Sequence, residues 1–170
     1  MSTRGAFGIR YNNEDKIFYN GHDSYPTGLG VSIILFLRGK SIEDLKKIFN
    51  DIDFDSEETF IGYENENIGY NNKDFLIDSL FCEFAYIINL DDKVLEIYTG
   101  FNKNPNEKGR YANKTMDLDN KKYSGGKYYG VKLVQTIPLK DVEKYKISDN
   151  KIPFIKNWFI EDKCYKHITL

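Results

Sequence analysis

Side chains able to bind a ligand or carry out chemistry cluster in three short stretches of this chain. Residues 2–4 read Ser-Thr-Arg, and residues 19–26 place an imidazole, a carboxylate, a hydroxyl and two phenols close together. Residues 100–111 form a basic segment rich in turn-forming residues. If folding gathers these stretches around a cavity, their cationic and phenolic groups would bind a small anion. The residues that we predict to bind it are Thr3, Arg4, Tyr19, Asn20, His22, Asp23, Tyr25, Lys103, Arg110 and Tyr111.

The use of arginine supports this grouping. The chain has 20 Lys but only four Arg, and Arg4 and Arg110 fall in the first and third stretches. A guanidinium binds phosphate or carboxylate through a planar, two-pronged fork that lysine lacks. Charge-assisted hydrogen bonds of about 1.5 to 3 kcal/mol each would give such a pair micromolar affinity. We therefore rank first a protein that binds a small anionic ligand, for example a nucleotide.

Two other functions fit the same residues. Removal of Met1 would place the Ser2 hydroxyl beside its own free amine, as in amidohydrolases with an N-terminal nucleophile. Arg4 and Asn20 would then orient the substrate and stabilise the oxyanion. Separately, the acidic segment 51–66 is typical of a module that binds a basic partner or mimics nucleic acid.

Each stretch also has a purely structural interpretation. The side chains of residues 23–26 can form a turn that bonds to its own backbone, and His22 can satisfy a neighbouring carbonyl. Residues 100–110 can form a surface loop without function.

Composition excludes several classes of protein. A chain of 170 residues with 41% hydrophobic residues is expected to form one globular domain over residues 1–170. No apolar run approaches the roughly 20 residues that cross a bilayer, and no secretory signal is evident, so we expect a cytoplasmic protein without membrane contact. Cys82 and Cys164 cannot build a four-thiolate zinc site, and the usual phosphate-loop, dinucleotide and metalloprotease motifs are absent. We expect no cofactor and no metal, and a sequence pI of about 5.8 without a recognised nucleic-acid-binding module argues against general nucleic-acid binding.

Charge is unevenly distributed along the chain. Lys and Arg outnumber Asp and Glu by seven to five in residues 1–50 and by 15 to eight in residues 101–170, whereas residues 51–100 have two against 13. Such a chain would steer an anion toward its basic last third.

Periodicity and turn signals predict the elements that position these residues. Two hairpins are expected, with strands at 5–11 and 17–20 and at 84–90 and 94–98. Helices are expected over 31–38, from the capping box at Ser41, over about 73–81 and over 139–145. Residues 128–137 read as a central strand, and the last twenty residues as an apolar segment that docks on the body. Between these lie an acidic connector at about 51–72 and a long basic loop at about 100–127. The sequence thus predicts an α+β fold, a mostly antiparallel sheet with helices packed on at least one face.

Short motifs near the start of the chain carry a family resemblance. The opening Ser2-Thr3-Arg4, and the turn that ends in Asp23-Ser24-Tyr25-Pro26, resemble a group of uncharacterised proteins of bacteria, their phages and some lower eukaryotes. Members begin with Ser/Gly-Thr-Arg and have a His-x-Asp-Ser/Gly-Tyr-Pro turn, whereas here Gly21 replaces that His and His22 follows it. The stretch 95–101, with residues 105–111 behind it, is similar to a later motif of some members. The resemblance implies no established activity; it implies a phage-associated protein that sequesters a host signal or blocks a host defence protein.

Overall fold

The computed structural model describes residues 2–116 and 127–144. Its five strands are β1 (Gly5–Tyr11), β2 (Glu14–Asn20), β3 (Phe84–Asn89), β4 (Val94–Thr99) and β5 (Lys132–Pro138). They form one sheet in the order β2-β1-β3-β4-β5, in which only the central pair β1 and β3 is parallel. This is the α+β fold with a mostly antiparallel sheet that the sequence predicts.

The β1–β2 hairpin is closed by a two-residue turn. Asn12 and Asn13 both have positive φ, at 50° and 61°. Asparagine tolerates this left-handed conformation, which matches the twist of the flanking strands. The hairpin prediction is confirmed, with β2 beginning at Glu14 rather than at residue 17.

Two helices pack on one face of the sheet. They are α1 (Val31–Leu37), which follows a π-helical turn at Pro26–Gly30, and α2 (Ile42–Asp51). Their apolar sides meet the sheet in a core that includes Phe7, Phe18, Ile33, Leu45 and Tyr86. Helices on at least one face of the sheet were expected, and the structure confirms this arrangement.

The capping box predicted at the start of α2 is present. The Asp44 N–H donates to Ser41 Oγ at 3.1 Å, and the Asp44 carboxylate accepts the Ser41 N–H at 2.8 Å.

We expect Ser41→Ala to lower the free energy of unfolding by about 1 kcal/mol, because it leaves N–H groups of the first turn without an acceptor. Urea unfolding measures this loss. Ser41→Gly, which lets water reach those groups, should cost only a few tenths of a kcal/mol, and equal losses for the two variants would contradict the capping role.

Two predicted elements differ in the structure. The helix expected over 73–81 is a single 3₁₀ turn, Lys73–Ile77, because the backbone of buried Ser79 bonds elsewhere, to Tyr129 and Phe101. The strand expected to be central is the edge strand β5, which begins at Lys132 and whose side chains are mostly half-buried. Apolar content predicts burial of one face and carries no information on the neighbours of a strand.

The second face of the sheet has its own apolar cluster, formed by residues that include Ala6, Ile17, Leu76, Ala85 and Val131. After β5 the chain forms a 3₁₀ helix, Leu139–Lys144, where a short helix was predicted over 139–145. Residues 117–126 of the basic loop and the apolar segment at the end of the chain lie outside the described residues. Within the described residues, none of the helices has the length and apolar character that a bilayer requires.

The acidic connector 51–72 contains only one short pairing, between Glu58 and Glu64. The buried Asn65 side chain holds the connector in shape by donating to the carbonyls of Phe54 and Ser56, both at 2.9 Å. The connector has little regular structure, as predicted, and its carboxylates are exposed except that of Glu66, which is half-buried.

Strand directions place several chain segments at one end of the sheet. Gly5 pairs with Asn20 and with Phe84, and Thr99 pairs with Phe84 and with Lys132. The start of β1, β3 and β5 and the end of β2 and β4 therefore meet at this end, which we call the near end. The far end holds the turn between β1 and β2.

Candidate functional site

Two of the three predicted stretches come together at the near end. Ser2 Oγ donates to the carbonyl of Gly21 at 2.8 Å, and the Ser24 N–H donates to the carbonyl of Thr3 at 3.2 Å. Tyr86 OH donates to the carbonyl of Ser24 from within the core. The N-terminal stretch and the turn after β2 thus form one unit. This contact does not test the N-terminal-nucleophile hypothesis, which stays a prediction.

The turn is held largely by its own hydrogen bonds. The buried Asn20 amide donates to the carbonyl of His22 and, at 2.7 Å, to Ser24 Oγ. Asp23 has a φ of 54° and is exposed, while the Tyr25 ring packs at 6.0 Å from that of Phe84. The Asn20 amide and the Tyr25 ring therefore help to hold this turn, and their roles in ligand binding stay predictions.

A cleft of about 330 Å³ opens beside this turn. It is lined by Asn20, His22, Asp23, Tyr63, Glu64 and Glu66. Glu66 accepts the Gly21 N–H, and its other oxygen lies 3.6 Å from His22 Nδ1. Because three carboxylates surround one histidine, the cleft is electronegative and disfavours an anion.

Arg110 does not join Arg4. Its guanidinium forms two hydrogen bonds with the Glu96 carboxylate, at 2.6 and 2.7 Å, and a third with Tyr111 OH at 3.1 Å. Tyr111 is buried and donates to Asp15 at 2.7 Å. Asp15 and Asn20 are five residues apart on β2, so this cluster lies about 17 Å from the turn. The predicted grouping of Arg4 with Arg110 around one ligand is not what the structure shows, because the buried Glu96 already engages Arg110.

Burial and neighbouring groups shift the pKa values of Tyr98 and Arg110 in this cluster. Burial raises the pKa of Tyr98 well above its ordinary value, and the neighbouring Glu96 charge raises it further. Burial alone would lower the pKa of Arg110, but hydrogen bonds to Glu96 and the nearby phenols raise it. The Tyr98 phenol therefore stays protonated and donates to Glu96 at 2.9 Å, while Arg110 stays charged. Because the Glu96 carboxylate already pairs with Arg110, the cluster disfavours an added anion, although the buried Arg110 Nε has no hydrogen-bond partner among the described residues.

Arg4 has a different environment at the near end. Its guanidinium lies over the Phe81 ring, 4.6 Å from the ring centre. Burial and the Glu66 charge raise the pKa of Tyr19, while the Arg4 charge lowers it. Within residues 2–116 and 127–144, Arg4 forms no ion pair.

The described part of the basic loop is fastened by Asn102. This side chain is 1% exposed and donates to the carbonyls of Ala112 at 3.1 Å and Gly130 at 2.9 Å. The Asn102 Oδ1 accepts the backbone N–H of Asn104, and the backbone N–H of Asn102 donates to Ser79 Oγ. Gly100 lets the chain pass close to the backbone of Cys82, where a Cβ would overlap. The loop is thus tied to the body on both sides.

Two lysine–tyrosine pairs lie on this loop. Lys103 Nζ lies 5.2 Å from the centre of the Tyr128 ring, and Lys127 Nζ lies 5.1 Å from that of Tyr129. The neighbouring Phe101 ring is 57% exposed, although its backbone has a φ of 54° that bulky residues rarely adopt. Neither lysine forms an ion pair with any residue that the structure describes.

Segment 79–83 connects these pairs to Arg4. The Ser79 N–H donates to the carbonyl of Tyr129, and the Phe101 N–H donates to the carbonyl of Ser79. The Glu83 N–H donates to the carbonyl of Arg4. Three cation–aromatic pairs therefore surround one short segment at the near end. Together with the exposed Phe101 ring, these pairs form what we call the cation–aromatic surface: Arg4, Phe81, Phe101, Lys103, Lys127, Tyr128 and Tyr129.

Sequence reasoning found Arg4 and Lys103 of this surface and missed the rest. The Lys-Tyr-Tyr triplet at 127–129 was a usable signal, since cations and aromatic rings alternate in surfaces that bind stacked anions. Asp78 and Glu83 also border the surface and are half-buried. Burial raises the pKa of Asp78, while nearby N–H groups and Arg4 lower it.

Fold and site together define an α+β protein with a mixed five-stranded sheet and a cation–aromatic surface at one end. Comparison of the chain with protein-family models, with curated proteins and with solved structures found no match. Among residues 2–116 and 127–144, no three His, Cys, Asp or Glu side chains are placed to hold a metal ion.

Proposed function

We propose that the protein binds a small anionic ligand that carries an aromatic ring, and that nucleotides are the class that fits. The observation that carries the proposal is the cation–aromatic surface, whose three cations form no ion pair with the described residues. A nucleobase stacks on exposed aromatic rings, and arginine and lysine contact its phosphate. This proposal keeps Arg4 and Lys103 from the sequence-based site and does not include Arg110.

The spacing of the surface supports this ligand class. Arg4 precedes β1 and Gly100 follows β4, and β3 alone lies between these strands, so the two positions are about 10 Å apart across the sheet. A ligand with a ring at one end and a charged group at the other can span that distance. The resemblance to bacterial and phage proteins suggests a purpose, the sequestration of a host nucleotide signal.

Neutralising the two lysines is expected to weaken nucleotide binding at least tenfold. Lys103→Gln with Lys127→Gln removes two charge-assisted contacts of about 1.5 kcal/mol or more each, and both side chains are exposed, so folding should be unaffected. Titration calorimetry with mono-, di- and cyclic nucleotides measures the change. Adenosine and inorganic phosphate, which each keep one half of the ligand, should bind more weakly than AMP.

The matched control removes two exposed lysines elsewhere. Lys47→Gln with Lys140→Gln changes the net charge equally and should leave affinity within twofold of the wild type. Equal weakening by both double variants would reduce the effect to overall charge. Absence of binding by the wild type across the nucleotide panel would refute the proposed function.

A further inference from the structure

An apolar groove of about 540 Å³ lies at the far end of the sheet. Its apolar lining consists of Leu37, Ile42, Leu45, Val94, Pro138 and Leu139. Val94 pairs with Pro138 at the far ends of β4 and β5, so the groove is remote from the cation–aromatic surface. An apolar cavity of this size is large enough to receive two or three bulky side chains.

The described chain ends beside this groove. The Leu139 N–H donates to the carbonyl of Lys93 at 3.0 Å, and the Glu143 carboxylate accepts the Gly39 N–H at 2.7 Å. Buried Val142 packs into the core between these contacts. These contacts fix the 3₁₀ helix Leu139–Lys144 along the rim of the groove. Lys144, the last residue that the structure describes, is therefore close to the groove.

The sequence that follows contains a suitable occupant. Residues 154–160 read Phe-Ile-Lys-Asn-Trp-Phe-Ile, with five large apolar side chains among seven. The ten residues from Lys144 to Phe154 span at most about 35 Å, which is ample for a return to the groove. A tether this short raises the effective concentration of the segment to the millimolar range.

We propose that the far-end groove binds the chain's own segment 154–160. That segment lies outside the described residues. Glu161 and Asp162 follow the apolar run directly. The groove is lined by Lys40, Lys93 and Lys140 against the single carboxylate of Asp92, so its net positive charge complements the segment. Binding here leaves the cation–aromatic surface open.

Trp158 is the only tryptophan of the chain and reports directly on this contact. In the full-length wild type, tryptophan emission is expected to be blue-shifted from that of free tryptophan and weakly quenched by acrylamide. Ile42→Glu places a carboxylate in the groove at the first residue of α2, where a helix tolerates negative charge. This variant should shift the emission to the red and raise the quenching constant several-fold.

Two further variants keep the test decisive. Val94→Thr preserves the shape of the side chain and should give a smaller shift in the same direction. Leu35→Glu alters an exposed leucine of α1 that does not line the groove and should leave the emission unchanged. Far-UV circular dichroism checks that each variant is folded.

Three results would overturn the proposal. The first is Trp158 emission in the wild type that resembles that of free tryptophan. The second is blue-shifted emission that neither Ile42→Glu nor Val94→Thr alters. The third is a blue shift that disappears when the protein is diluted. The last would mean that the segment binds a second copy of the chain.

Discussion

Replacing Asn102 with alanine is expected to lower the free energy of unfolding by about 3 kcal/mol, because each buried polar group left without a partner costs roughly 1 to 3 kcal/mol. The variant removes the amide that donates to the carbonyls of Ala112 and Gly130. Both carbonyls belong to buried residues of the connection from β4 to β5 and are then left without this donor. The same change removes the acceptor for the Asn104 N–H.

Asn102→Asp separates hydrogen bonding from the loss of side-chain volume. The carboxylate has the shape of the amide but cannot donate to either carbonyl, and its charge would be buried. We expect a loss at least as large as that of the alanine variant. Urea unfolding followed by circular dichroism measures both.

Asn104→Ala is the matched control. Asn104 is exposed, and among the residues that the structure describes its side chain bonds only to the N–H of Asn106. Its replacement should cost less than about 1 kcal/mol, as for most surface changes. Stability of the Asn102→Ala protein within 1 kcal/mol of the wild type would show that the loop does not depend on this side chain.

Local signals in the sequence were sufficient for much of the fold. The Asn12-Asn13 turn, the alternation in β3 and β4 and the pairing of Ser41 with Asp44 each depend on neighbours within a few residues. Such features can be predicted because propensity, pattern and turn chemistry agree. The edge position of β5 could not, since it depends on a pairing with β4 across a long loop.

The candidate site depends on contacts that the sequence separates widely. Lys103 and Tyr128 are 25 residues apart, and Arg4 meets Phe81 only because β1 and β3 are neighbours. The burial of Glu96 could not be predicted from the sequence for a different reason. It alternates with Leu95 and Ile97 as a solvent-facing residue would, yet it is 4% exposed because Arg110 and Asn89 cover it. A lone arginine in a loop gives no sign of such a partner.

The Glu96–Arg110 pair leads to a second large effect. Arg110→Met keeps most of the apolar stem but leaves the Glu96 carboxylate buried without its cation, and removing one partner of a buried pair costs about 3 kcal/mol or more. Glu96→Gln alone should also destabilise, since it removes the negative charge and replaces one of the two oxygens that accept the guanidinium bonds with an NH₂ donor. In the double variant neither charge remains, so its loss of stability should be smaller than the sum of the two single losses by at least about 1 kcal/mol.

Urea unfolding of the wild type, the two single variants and the double variant measures this coupling. Lys132→Met provides the comparison, because its ion pair with Glu107 is 3.9 Å long and about one-third exposed at both side chains. Loss of that pair should cost no more than about 0.5 kcal/mol. Strictly additive losses at Glu96 and Arg110 would mean that the two charges stabilise the protein independently.

Folded Arg110→Met is also expected to bind nucleotide as well as the wild type does, because the cation–aromatic surface does not include Arg110. Abolished binding by this variant would show that Arg110 belongs to the ligand site.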